Sequence, residues 1–421
     1  METPVNYQQF PHNHILCIDM KSFFASIEAV SRGFDPLKVC LAVVGDQSRT
    51  GSVVLAASPT LKGKYGIKTG SRLYEIPPVP EIKIIDARMG LYLERSVAIT
   101  RFFNNFVPLT AIYVYSIDES WLQLDGTERL FGNPGQTALQ IKKGLVQKFG
   151  LPSSMGLAPN MFLAKVAMDI EGKKKGLAEW TYHDVPEKLW PVKLIDCWGI
   201  GRRLAKRFKR IGVRTVGQLA HLPLEYLEKN FGIIGNQLYY HAWGIDLSKP
   251  GGNEHNDQAK SISRGITLLR DYGKEEEIKT VIFELCDEVS HRVRKNGLAG
   301  KTVSLGIGYS HAQESKGFYA QRTLSNYTNS PFVLYRTSLE LLAENYQGQI
   351  VRRVNLALSN LLADASIHYS LFNNSLPEAK VNQTKDLLQD KYGHQALFYG
   401  RSLKSGSILN RMRTTIGGHG S

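Results

Sequence analysis

The stretch Asp246–Ala259 (DLSKPGGNEHNDQA) constrains this chain more than any other segment. It is rich in Gly, Asn, Asp and Ser and nearly free of apolar residues. No core can be built from such a composition, so it reads as a linker with a separately folding unit on either side. On its N-terminal side, the first ~180 residues read as α/β. His14–Ile18 is an apolar run that stops at Asp19, and Phe23, Ile27 and Val30 then recur at helical spacing within Ser22–Val30. Val53–Ala57 is a further apolar run. Ala111–Ser116 and Ser120–Leu124 read as two strands joined in a hairpin at Ile117-Asp118-Glu119. Gln136–Phe149 and Asn160–Ile170 have helical periodicity, and Trp180–Ile245 breaks into short helices punctuated by Gly and Pro. Beyond the linker, Ser261–Leu268, Lys301–Tyr309 and Val351–Leu358 read as strands, and Glu275–Lys295 and Phe332–Glu344 as helices, giving a second α/β unit. The tail from Asn373 offers one helix, Lys380–Lys391, and a Gly-rich basic end.

Length and charge narrow the function. At about 150 residues per domain, 421 residues predict two to four domains. A hydrophobic share of 43% excludes a disordered chain. The net charge of +14, with a pI near 9.4, favours a polyanionic partner. A membrane is the weaker choice: no run of about 20 apolar residues exists, and mean hydropathy is −0.22. Met1–Asn13 is polar and lacks the apolar centre of a signal peptide. Cys17, Cys40, Cys197 and Cys286 are far apart and form no CxxC pair. They predict neither a zinc site nor a disulfide framework, and fit reduced thiols in a cytoplasmic protein.

Three carboxylates stand out. Asp19 ends an apolar run, and Asp118 and Glu119 sit at the hairpin bend. Carboxylates at the ends of apolar strands are costly unless something positive meets them. If they converge, they suit a hard divalent cation; Mg²⁺ takes few carboxylates and completes its shell with substrate phosphates. Two such ions can clamp the attacking and leaving oxygens of a phosphoryl transfer. Taken one at a time, the same residues are ordinary caps and turn formers.

The words around them carry more. Ile18-Asp19-Met20-Lys21-Ser22-Phe23-Phe24-Ala25-Ser26-Ile27-Glu28 closely resembles the first motif of the Y-family DNA polymerases, and Tyr115-Ser116-Ile117-Asp118-Glu119-Ser120 their second. Gly156–Asp169 (GLAPNMFLAKVAMD) with the lysines after it, and Leu189–Arg203 (LWPVKLIDCWGIGRR), resemble two more stretches of the family, in the family's order and spacing. The likeness covers about residues 12–372. Its wording is most similar to the branch of the polymerase V catalytic subunit and its Gram-positive and phage relatives.

The resemblance implies an α/β multidomain fold. Its parts are an α+β palm with a ferredoxin-like sheet (1–22 and 89–180), small fingers (23–88), a helical thumb with a helix-hairpin-helix (181–245), the linker 246–258, an α+β little finger (259–371) and a C-terminal tail (372–421). It implies template-directed DNA synthesis of the low-fidelity, translesion kind, on primer-template DNA with deoxynucleoside triphosphates. Two Mg²⁺ ions are expected on Asp19, Asp118, Glu119 and the Met20 carbonyl, with Glu119, Asp118 and Asp19 as the catalytic set. Phe24 takes the steric-gate position, under the sugar. Ser22 and Phe23, at a helix start, and Lys173 are expected on the triphosphate. The fingers positions that carry an aromatic and a basic residue in relatives hold Thr60 and Gly63 here, so Thr60 and Lys62 stand as the local candidates, with Lys64 the alternative to Lys62. The lysine run opening at Lys173 is also one residue farther from Asp169 than the family pattern, which leaves Lys174 as the alternative to Lys173.

Lys193–Arg214 holds eight basic residues against Asp196 alone. Gly199 and Gly201 would let backbone amides approach a phosphate, ahead of a helix carrying Arg202, Arg203 and Lys206. Such a grip holds the backbone without reading bases. In the little finger, Arg264, Arg292, Arg294, Lys295, Lys301 and Arg322 are phosphate candidates. His368-Tyr369-Ser370-Leu371-Phe372 partly resembles the Gln-Leu-Ser-Leu-Phe peptide by which bacterial polymerases dock on the sliding clamp, with His368, Leu371 and Phe372 as contacts. A monomer is expected, and the need for helper subunits stays open. The rival from another class is a non-catalytic DNA-binding accessory paralogue of the same fold.

Overall fold

The computed structural model describes residues 5–250, 259–311, 313–364, 375–393, 396–409, 415–416 and 419–420. The chain divides into two units at residues 256/257. In the first, β1 (Ile15–Met20) leads into α1 (Phe23–Val30). β2 (Leu41–Val44), β3 (Val54–Ala57), α2 (Pro59–Tyr65), β4 (Lys83–Asp86) and α3 (Met89–Phe103) follow. Next come β5 (Ile112–Val114), β6 (Glu119–Gln123), α4 (Glu128–Phe131), α5 (Pro134–Phe149), β7 (Ser153–Ala158) and α6 (Met161–Ala167). A π-helical turn, Met168–Gly172, then connects to α7 (Lys173–Lys175) and β8 (Leu177–Glu179). Four short helices close the unit: α8 (Arg202–Arg210), α9 (Val216–Ala220), α10 (Leu224–Phe231) and α11 (Ile233–Ala242).

The main sheet has the order β5-β6-β1-β7-β8, so β1 lies at its centre, antiparallel to both neighbours. Side chains alternate across a strand, and both faces of β1 are apolar because both are covered. Leu16, Ile18 and Met20 pack with Ile99, Phe103, Ile141 and Leu145 of α3 and α5. Ile15 and Cys17 pack with Trp121 and with Phe162, Val166 and Met168 on the other side. Helix α6 lies very close on that second face: a Cβ on Gly156 would stand 2.1 Å from the Ala164 carbonyl oxygen, so only glycine fits. Helix α5 starts where the chain makes it start. Asn133 and Gln136 form a capping box, Pro134 opens the first turn, and Gly150 ends the helix at φ +67°. A smaller sheet, β3-β2-β4, has its own core of Ala42, Val44, Val54, Leu61 and Ile67.

The second unit is a four-stranded antiparallel sheet of order β11-β10-β12-β9: β9 (Ser261–Tyr272), β10 (Leu298–Tyr309), β11 (Gly317–Thr328) and β12 (Val351–Ala363). Helices α12 (Glu275–Lys295) and α13 (Pro331–Asn345) pack on one face of it. The tail helix α14 (Ser375–Tyr392) docks on α12: Asp386 takes bonds from His291 and Arg294, and Lys385 pairs with Asp287. All four cysteines are free and buried, as expected. No helix among the described residues is long and apolar enough to cross a membrane.

The boundaries shift in ways that matter. β1 continues past Ile18 and takes in Asp19 and Met20. β6 begins at Glu119, so this carboxylate lies in a strand rather than on the bend. β2, β4, β7, β8 and the whole of β11 go beyond the strands expected.

Candidate active site

Asp19 and Glu119 are direct partners across β1 and β6, and Asp19 and Ser154 are partners across β1 and β7. Residues opposed in an antiparallel ladder point to the same side with Cβ atoms about 5 Å apart. Asp19, Glu119 and Ser154 therefore share the face that α6 covers. Asp118 sits one step back on the turn: its carbonyl accepts from the Met20 N–H at 3.0 Å, and its Oδ1 from the Ser116 hydroxyl at 2.7 Å.

Lysines surround this face. Lys165 Nζ lies 2.8 Å from Glu119 Oε1 and 2.9 Å from Oε2, with 6% of the residue exposed. Asp169 accepts from Lys173 at 2.7 Å. Lys62 donates to the Ser22 hydroxyl at 2.9 Å. Burial pulls the Lys62 ammonium down, Asp19 pulls it up and Lys173 down, so all three charges feel one another. Burial pushes the Asp19 carboxyl up to about 6; Lys173 and Lys165 oppose that shift, while Asp118 and Glu119 add to it.

This donor set fits a divalent cation that substrate completes. Two carboxylates face each other across adjacent strands, and beside them the buried Ser154 hydroxyl has no hydrogen-bond partner among the described residues. No three His, Cys, Asp or Glu side chains among the described residues stand close enough to hold an ion by themselves. Mg²⁺ asks for less, since one or two carboxylates plus phosphate oxygens and water satisfy it.

Helix α1 begins at this site. Ser22 precedes it in the left-handed region at φ +48° and ψ +50°, and among the described residues no side chain caps the first turn. An uncapped helix start beside lysines is suited to phosphate oxygens. Phe24 stacks on Tyr92, whose hydroxyl is bonded to the buried Glu28. The Thr60 hydroxyl donates to the Leu37 carbonyl at 2.6 Å. The segment before Lys173 forms a π-helical turn, Met168–Gly172, and Lys173 pairs with Asp169 at 2.7 Å.

Sequence reasoning missed Lys165 and Asp169 as site residues. Both lie in the third motif, at i and i+4 on a helix, and that spacing was the available signal.

The basic segment forms as expected. Gly199 has φ +86°, and Gly201 immediately precedes α8 with open space around it. Arg202, Arg203, Lys206, Lys209 and Arg210 are exposed and make no ion pair among the described residues. Arg207 is different: it bonds the Asn230 carbonyl and covers the Phe231 ring.

The little finger candidates have partners within their own unit. Arg322 pairs with Glu340 and Glu344 of α13, Arg294 with Asp386, and Arg292 with the Ser263 carbonyl. Lys295 lies 3.5 Å from Asp390, and Lys301 covers the Tyr327 ring. Arg264 opposes Leu356, a core residue, and so shares the helix-covered face. The opposite face of the sheet carries small residues instead: Ser263, Gly265, Ala357, Asn355 and Gly306, with Arg353 among them. His368, Leu371 and Phe372 lie outside the described residues.

Comparison with known proteins places this geometry. The model of the impB/mucB/samB family matches residues 18–169, and the model of its C-terminal domain matches 259–371. A thumb-domain model described for DNA polymerase-iota matches 196–246. The "Putative UV-damage repair protein UvrX" of Bacillus subtilis is 46% identical over 420 residues, 99% of each chain. "DNA polymerase IV 2" of Halalkalibacterium halodurans is 34% identical over 96% of this chain and 98% of its own. "DNA polymerase IV" of Moorella thermoacetica is 35% identical over 94% and 97%. Among solved structures, the "Y-family DNA polymerase chimera Dbh-Dpo4(243-245)-Dbh" superposes with a TM-score of 0.67 at 22% identity, over 83% of this chain and 99% of its own, which shows the shared fold. With its three matched regions in order and relatives aligned end to end, the chain belongs to the impB/mucB/samB family, the Y-family DNA polymerases.

Proposed function

We propose that this DNA-directed DNA polymerase performs translesion synthesis at the Asp19–Glu119 face, with Asp19, Asp118, Glu119 and the Met20 carbonyl holding two Mg²⁺ ions. The observation that carries this reading is the cross-strand pairing of Asp19 with Glu119, ringed by Lys62, Lys165 and Lys173. Membership of the family implies dependence on divalent metal, and such ions neutralise the triphosphate and favour in-line attack by a primer hydroxyl. The chain's own groups do the rest. Lys62, Lys173 and the amides at the start of α1 take the phosphate oxygens. The Phe24 ring lies under the sugar and excludes a 2′-hydroxyl. Gly199, Gly201, Arg202, Arg203 and Lys206 hold the duplex backbone without reading its sequence. The peptide His368–Phe372 docks on the sliding clamp through Leu371 and Phe372 as apolar anchors.

Primer extension with Mg²⁺ tests the assignment. The unaltered chain is expected to extend a primer. Asp118→Ala/Glu119→Ala is expected to lose extension while still binding primer-template. Equal extension by both would remove the carboxylates from the reaction. DNA binding without extension by the unaltered chain would favour the accessory paralogue.

A further inference from the structure

Lys165, Asp169 and Lys173 form a chain of charges that starts at Glu119. Lys165 Nζ touches both Glu119 oxygens and stands 3.4 Å from each oxygen of Asp169. Asp169 Oδ1 in turn holds Lys173 Nζ at 2.7 Å. Lys165 is almost wholly buried, whereas the Lys173 side chain is half exposed. A buried ammonium is stable only while an anion faces it. If the Glu119 oxygens turn to a divalent cation, Lys165 is at once deprived of its partner and repelled. Asp169 is the acceptor already in reach. Its oxygens are shared with Lys173, so a closer approach by Lys165 loosens the hold on Lys173.

We propose that Asp169 is a positioning residue that exchanges these two lysines: it receives Lys165 when a divalent cation occupies Glu119, and so releases Lys173 to the incoming triphosphate. The inference rests on Glu119 as a metal ligand. It adds that the arrival of metal and the freeing of a phosphate-binding lysine are linked through one carboxylate. The π-helical turn Met168–Gly172 holds Asp169, which pairs with Lys173 just beyond its end.

The test measures binding without chemistry. Mn²⁺ is titrated into the full chain on a dideoxy-terminated primer-template, and free Mn²⁺ is read by electron paramagnetic resonance. Asp169→Asn is expected to weaken Mn²⁺ binding about fivefold, the scale of one ion pair. In a Lys165→Met background the same change is expected to have no effect, since the competitor for Glu119 is gone. Asp169→Glu, which keeps the charge, is expected to restore binding, and this variant tests the idea even if the amide folds poorly. Unchanged Mn²⁺ affinity in Asp169→Asn would overturn the proposal. So would an equal loss in both backgrounds, which marks a merely structural role. Glu119→Gln separates the two layers: undiminished Mn²⁺ binding there would reject Glu119 as a ligand, whatever Asp169 does.

Discussion

The rings of Phe24 and Tyr92 stack with centroids 4.4 Å apart and an angle of 14° between their planes. The Tyr92 hydroxyl donates to Glu28 Oε1 at 2.7 Å, and Arg88 and Arg32 pair with the same carboxylate, which is fully buried. The ring proposed to discriminate the sugar thus rests on a second ring that an ion-paired network fixes. Phe24→Ala is expected to admit ribonucleotides while sparing extension with deoxynucleotides. Tyr92→Ala is expected to relax the same selectivity more weakly, and Tyr92→Phe, which keeps the ring, hardly at all. Competition between ribo- and deoxynucleotides in primer extension reads all three. Unaltered selectivity in Phe24→Ala would withdraw the gate.

The same network makes a stability prediction. Glu28 and the Tyr92 hydroxyl are buried, whereas Arg88 and Arg32 are partly exposed to water. Glu28→Ala therefore leaves the hydroxyl without its acceptor and is expected to cost about 1–3 kcal/mol. Urea unfolding should show a loss of this size; a change within error would mean that the Tyr92 hydroxyl finds another acceptor.

Asp19 predicts a conflict between stability and activity. Burial pushes its carboxyl up to about 6, above the value near 4 expected of an unfolded chain. A raised carboxylic acid binds its proton more tightly when folded. This group therefore stabilises the fold least above pH 6, and the penalty fades as pH falls from about 6 to about 4. Asp19→Asn removes the penalty and is expected to stabilise the metal-free chain at pH 7 by about 1 kcal/mol, part of the roughly 1.4 kcal/mol that each pKa unit is worth. It should abolish extension. Thermal melting without divalent ions, at pH 7 and pH 5, checks the sign; a destabilised variant at pH 7 would contradict it.

The tail helix gives the opposite pH dependence. Burial raises the Asp386 carboxyl, but bonds from His291 and Arg294 more than offset this and hold it at about 2. Its contribution is complete above about pH 4 and is lost as pH falls towards 2. Hydrogen exchange in Ser375–Tyr392 is expected to quicken over that window, and already at neutral pH in Asp386→Ala. Protection as strong in Asp386→Ala as in the unaltered chain would show that other contacts suffice.

The exposed face of α8 predicts salt-sensitive binding. Each phosphate contact contributes a slope of about −0.9 to the log–log dependence of affinity on salt. Arg202→Ala, Arg203→Ala and Lys206→Ala should each flatten that slope by about one contact, alike for unrelated duplex sequences. Fluorescence anisotropy across a KCl series measures it. A slope that none of the three changes would move the duplex elsewhere.

Much of this was legible in the residues. The run ending at Asp19 and the hairpin around Asp118-Glu119 are strands because apolar, β-branched and aromatic residues cluster there, and the motif words identified the family. What sequence could not supply was pairing. That Asp19 faces Glu119 is a matter of register, and register depends on which strands meet. Arg322 and Arg294 look like free cations until Glu340, Glu344 and Asp386 are brought beside them by the fold. β11 escaped notice because its outward residues are polar, so its apolar side is thin. Lys165 was hidden for the reverse reason: within an apolar helical run it resembles a surface residue, and only the burial of α6 against the sheet turns it inward.

The wide turn at Met168–Gly172 has a consequence for how charge is shared along this stretch. Asp169 lies within it and still meets Lys173 at 2.7 Å and Lys165 at 3.4 Å, so a single anion sits between two cations, one sunk in the interior and one open to water.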